Sequence, residues 1–132
     1  MSNIQIKHIS WDLNKSFNIS RGSKTTAETI EVKIETNNYY GYGECVPYKR
    51  YDETIDSVTS EIRKLKPDIE EGNINLTNLD RFLKNGAARN AIDCAMWDLK
   101  CKMKNTSIWK VMGVAKPTTL PGSYTVVLDL SL

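Results

Sequence analysis

Residues Gly86 to Met103, GAARNAIDCAMWDLKCKM, read as one helix with almost no wet face. Ala88, Ala91, Ile92, Ala95, Leu99 and Met103 recur at steps of three and four along one side. Ala87, Cys94, Trp97 and Cys101 make a second stripe. A surface helix keeps a polar face, so this one must be covered on two flanks, and its small side chains let the covering elements approach closely. Taken alone, the residues favour a central helix buried inside one ordinary domain, a size that 132 residues suit.

The segments before it have a different period. NIQIKHISWDL (3–13) and AETIEVKIET (27–36) alternate as strands, the second with Ile30, Val32 and Ile34 inward and Glu31, Lys33 and Glu35 outward. NNYYG supplies a turn, and YGYGEC a short third strand whose glycines mark a bulge or a close approach. Between the first two strands, NKSFNISRGSKTT (14–26) reads as a long loop carrying Phe17 and Ile19, which have no evident core role. After Tyr51 the spacing of Ile55, Val58, Ile62 and Leu65 predicts a helix capped by Asp52 or Thr54, with Pro67 just past its end. Thr77 to Asp80 has capping-box spacing before Leu79, Phe82 and Leu83. TSIWKVMG (106–113) predicts a short helix closed by Gly113. A meander followed by helices is an α+β layout. The tail YTVVLDLSL begins a further apolar strand.

Chemistry is harder to find. A net charge of +2, with basic residues scattered among sixteen acids, argues against nucleic acid as a partner. No stretch approaches the roughly 20 apolar residues of a membrane span, and the first residues lack a signal-peptide core, so a cytoplasmic location is the expectation. Cys45, Cys94 and Cys101 read as buried free thiols, the latter two being roughly 10 Å apart along the helix. His8 reads as a surface or packed histidine. Arg89–Asp93 and Asp98–Lys102 read as structural i,i+4 pairs, and Glu44 as a partly buried carboxylate with no acid/base partner.

Two motifs go further. GYGECVPYKRYDETIDSV (41–58) and GAARNAIDCAMWDL (86–99) together resemble the N-terminal part of enolase-superfamily enzymes of the muconate-lactonizing branch, and within it the dipeptide epimerases that act on L-Ala-D/L-Glu. The resemblance runs to about Val127. It implies an α+β capping domain over residues 1–116 (meander 3–45, helices 52–113), with 117–132 as a linker and the first strand of a (β/α) barrel. Such a cap closes over the barrel mouth, so one flank of the alanine-rich helix would pack within the cap and the other would lie towards the barrel. The implied chemistry is Mg²⁺-assisted removal of the proton α to a carboxylate, with lysines exchanging the proton. Those lysines and the metal ligands belong to later barrel strands, so no catalytic residue, no metal ligand and no activity is expected of these 132 residues by themselves.

The resemblance carries over a substrate-facing set. Phe17, Ile19 and Arg21 fall on the specificity loop, Tyr48 on a second capping loop, and Thr125 at the end of the first barrel strand, where it would touch a dipeptide. Arg21 suits an acidic side chain, and equally suits a solvated loop. The barrel is the expected partner, with a homodimer through the barrel-facing surface or the terminal strand as a further one. Two other readings stay open: a non-catalytic module that caps a separate barrel chain, and the cap of another branch member such as a muconate cycloisomerase or o-succinylbenzoate synthase.

Overall fold

The structure is a computed structural model in which residues 2–19, 22–119 and 121–122 are described. Arg21, Thr125, the side chain of Ile19 and the expected barrel strand lie outside the described residues.

Strands β1 (Asn3–Ile19), β2 (Gly22–Thr36) and β3 (Tyr39–Cys45) form one antiparallel sheet in the order β1-β2-β3. Ile30, Val32 and Ile34 bury their side chains together with Ile4, as the alternation predicts. Asn37 and Asn38 both adopt positive φ, the two-residue turn whose twist matches that of the flanking strands.

Of the loop expected at 14–26, residues 14–19 and 22–26 are instead strand. Pairing continues past Asp12↔Thr26 to Phe17↔Lys24, Asn18↔Ser23 and Ile19↔Gly22. Residues 12 to 17 of β1 face only 26 to 24 of β2, so β1 carries a bulge. Those extra residues break the alternation in sequence, yet a bulge absorbs them without ending the ladder.

Helix α1 (Ile55–Glu71) starts at Thr54, whose hydroxyl accepts from Ser57 N at 3.0 Å while Ser57 Oγ accepts from Thr54 N at 2.9 Å. Pro67 lies inside this helix rather than past it. It sits on the exposed face, where the carbonyl it leaves unpaired can meet water, and buried Ile69 one half-turn later holds the helix on course. Thr77 does not cap. Its N–H and hydroxyl both donate to Asn75 Oδ1, and Asn78 Oδ1 accepts from Asn75 N, a local turn that carries Leu79 and Leu83 into the core and leaves Phe82 exposed.

Helix α2 (Ala87–Met103) crosses the sheet beside β3, and α3 (Ile108–Val111) follows, with Gly113 at positive φ after it. Ala88, Ala91, Ile92, Ala95 and Leu99 are buried as one stripe. Met103, at the fraying end, is exposed. The other flank is open: Ala87 is buried, but Cys94 is exposed and Trp97 and Cys101 are half-buried. Asp98 pairs with Lys102 at 2.7 Å, whereas Arg89 donates to Asn85 Oδ1 instead of pairing with Asp93.

Helix side chains meet backbone groups on both outer strands of the sheet. At β1, Ile4 N donates to Glu70 Oε1 (3.1 Å) and Ile4 O accepts from Lys66 Nζ (3.0 Å). At β3, Tyr42 N donates to Asp98 Oδ2 (2.8 Å) and Glu44 O accepts from Asn90 Nδ2 (3.1 Å). Unpaired edge groups invite association, and these contacts occupy four of them. The Ile4 amide, assisted by Lys66, holds the Glu70 carboxyl below the usual range. A carboxyl depressed in the folded state stabilises above its unfolded pKa, about 4.3, and that contribution disappears as pH falls through the lower folded value. Acid titration of stability should therefore steepen below about pH 4.3, and the E70Q variant should show a shallower slope there when followed by circular dichroism.

Candidate functional site

The register gathers three features at one end of the sheet. β3 ends at Cys45 opposite Ile30, while the β1–β2 ladder continues beyond that level, from Thr29 to Gly22, as a two-stranded arm. Residues 46–54 leave β3 at the root of this arm. The N-terminus of α2 arrives there too, because Asn90 reaches Glu44 O while Asp98 lies further back along β3 at Tyr42.

The arm's base is tied by polar side chains. Glu28 receives His8 Nε2 at 2.5 Å and the Ser10 hydroxyl at 2.6 Å, and Trp11 Nε1 donates to the buried Thr29 hydroxyl at 3.1 Å. The Ser10 and Thr26 hydroxyls, then His8, lower the Glu28 carboxyl from its ordinary range. His8 is thus an exposed, bonded histidine. Phe17, on the arm, is half-buried.

The 46–54 segment closes on itself. Tyr48 O accepts from Tyr51 N (2.8 Å) and Glu53 N (3.4 Å), and Asp52 takes positive φ to make the bend. Tyr48 and Tyr51 are exposed, with ring centroids 5.9 Å apart. Glu53 was not among the residues its sequence pattern singled out. Its Oε2 accepts from Tyr48 N (3.2 Å) and its Oε1 from Ala87 N (2.7 Å), so one carboxylate links the loop to the first turn of α2. Residues 53 and 87 share no local pattern, so only the tertiary fold exposes their pairing. Glu44, by contrast, is exposed and offers only its carbonyl to Asn90.

Cys45 is buried beneath this end, and burial pushes its thiol up to about 11. A thiol so protonated packs as a small apolar group. All three cysteines are free. A Mg²⁺ ion needs several hard oxygen ligands, and among the described residues no three His, Cys, Asp or Glu side chains gather to hold a metal. The described residues therefore do not build the metal centre that the enolase-superfamily resemblance implies. No described helix is long and apolar enough to cross a membrane.

Comparison with known proteins agrees with this architecture. The chain is 37% identical over 128 residues to L-Ala-D/L-Glu epimerase of Escherichia coli K12, covering 97% of this chain and 40% of that protein. It spans well under half the length of the curated relatives it matches. A solved enolase-family member from Agrobacterium tumefaciens with homology to dipeptide epimerases, holding sodium and L-Ala-L-Glu with an ordered loop, superposes with a TM-score of 0.81. That match has 36% identity and covers 87% of this chain and 35% of the other. The dipeptide epimerase of Cytophaga hutchinsonii, solved with Mg and D-Ala-L-Val, shares the fold at a TM-score of 0.79 and 24% identity, over 96% of this chain and 36% of its own. Residues 1–113, from the first strand through the short last helix, match the family described as mandelate racemase / muconate lactonizing enzyme, N-terminal domain, and with the meander and the helices that follow it they make this chain a member of that family.

Proposed function

We propose that this chain is the capping and specificity portion of an enolase-superfamily isomerase acting on dipeptides of the L-Ala-D/L-Glu kind. The observation that carries the reading is the convergence of the β1–β2 arm and the Tyr48 loop at one end of the sheet. A strand arm and a loop on one base can close over a bound molecule and exclude water. Residues 1–116 form the cap in this reading, and 117–132 lead into a barrel. The open flank of α2, with Cys94, Trp97 and Cys101, is where a barrel would pack.

Each residue has a definite task. Phe17 and Ile19 supply apolar contact from the arm, Tyr48 an aromatic wall, Thr125 a hydroxyl at the barrel mouth. Arg21 gives a charge-assisted contact to the glutamate side chain. Proton transfer at the α-carbon is left to the barrel, where Mg²⁺, when bound, stabilises the enediolate.

A hybrid tests this: residues 1–128 in place of the matching segment of the E. coli relative. The hybrid is expected to exchange the α-proton of the glutamyl residue of L-Ala-L-Glu in D2O, followed by proton NMR, in a Mg²⁺-dependent way. The 132-residue chain alone should show none. A folded hybrid that leaves every dipeptide untouched would refute the assignment, and turnover by the chain alone would refute the division of labour.

A further inference from the structure

We infer that Glu53 is the positioning residue of the Tyr48 loop: its carboxylate holds that loop in register with α2 and so sets how the cap meets its substrate. The claim rests on the proposed function for its consequence, but its geometry stands independently.

Tyr48 and Glu53 close a ring. Tyr48 N donates to Glu53 Oε2 and Tyr48 O accepts from Glu53 N, so both backbone groups of Tyr48 bond to Glu53, the carbonyl being shared with Tyr51 N. The second carboxylate oxygen is committed to Ala87 N at 2.7 Å, one of the otherwise unpaired amides of a helix N-terminus. No side chain of α2 caps that end, so Glu53 acts as its cap from outside the helix. A carboxylate suits the place twice, by its charge towards the helix dipole and by accepting two hydrogen bonds at once.

Gly86 belongs to the same device. Its φ of 165° is ordinary extended backbone, so conformational freedom does not explain it. Space does: a Cβ there would stand 2.8 Å from Glu53 Oε1. The absent side chain admits the carboxylate to the Ala87 amide. The Tyr48 and Tyr51 rings are exposed, and apart from their contact with each other nothing described fixes them. Their placement therefore follows the backbone ring, and the ring follows Glu53.

The test compares E53Q, which keeps the shape but loses the charge and one acceptor, with T54A, which removes the α1 cap next door and leaves Glu53 untouched. In the 132-residue chain, amide hydrogen exchange by NMR should show Tyr48, Ala87 or both losing protection in E53Q and both keeping it in T54A, at similar losses of thermal stability. G86A should reproduce the E53Q pattern in part, from the opposite side of the bond. In the hybrid, E53Q should raise KM for L-Ala-L-Glu by roughly tenfold with kcat changed far less, and E53D should recover part of it, whereas T54A should leave KM alone. Retained protection of Tyr48 and Ala87 in E53Q, or equal KM in E53Q and T54A, would overturn the inference. If the unmutated hybrid has no turnover, the dipeptide reading fails, and the exchange data still decide whether Glu53 positions the loop.

Discussion

Gly43→Ala is expected to be the most damaging one-carbon change in the molecule. A Cβ at that position would overlap Ala91 O and lie 2.8 Å from Ala95 N, both backbone atoms of α2. A flexible side chain could swing aside, but a helix backbone cannot without moving β3 and α2 apart. Gly41 repeats the arrangement one pleat earlier, against Ala95 O, Leu99 N and, at 2.7 Å, Leu99 Cβ. Two glycines on one face of β3 thus meet the small-residue stripe of α2, and the strand lies almost on the helix backbone. Overpacking a tight core typically costs about 1–3 kcal/mol, occasionally more. Here the obstacle is main chain, so G43A should reach about 3 kcal/mol or leave the chain unfolded, by urea denaturation with circular dichroism. Gly72→Ala makes a useful contrast, since a Cβ there meets nothing and the cost comes only from its φ of 83°.

That contact also explains how much of the fold the sequence disclosed. The alanine-rich helix demanded a close neighbour, and the glycines of YGYGEC offered one; the two signals are complementary halves of a single interface. The inward Ile30, Val32 and Ile34 were equally plain, because a period of two on a half-buried sheet permits few alternatives. What escaped notice was set by tertiary context. The arm read as a loop because a bulge disguises strand periodicity, and Pro67 read as a stop because nothing local says that its face is exposed and that Ile69 lies beyond it. At the candidate site the same division holds. The Tyr48 segment was recognisable from GECVPYKRYDET, whereas the bond from Glu53 to Ala87 joins residues 34 apart and leaves no trace in either neighbourhood. The edge contacts are hidden in the same way, since Asn90, Asp98, Lys66 and Glu70 look like ordinary polar positions on helices.

Ile92→Ala should be the most costly truncation in the core. Ile92 is fully buried, at 0% exposure, on the side of α2 that faces the core, where Ile30, Val32, Val58 and Ile62 join it in one apolar cluster. Of its neighbours along the helix, Ala88, Ala91 and Ala95 are already small, and Met96 alone, one turn on, is long enough to reach towards the space it would leave. The glycine contacts hold β3 against the helix backbone and leave the sheet little freedom to collapse inward. Removal of a buried isoleucine side chain to Cβ costs about 2–5 kcal/mol, with the upper values at sites that cannot relax. The expected loss is therefore near the upper part of that range, about 4 kcal/mol, measured as a lowered urea midpoint at unchanged slope. Trp97→Ala on the open flank removes a larger side chain that is only half-buried and carries Lys100 over its ring at 4.6 Å. It should cost the isolated chain much less, about 1 kcal/mol, because most of what it exposes is already near water. If the two substitutions proved equally costly, the helix would be enclosed on both flanks by this chain alone, and a second body would have no vacant side to occupy.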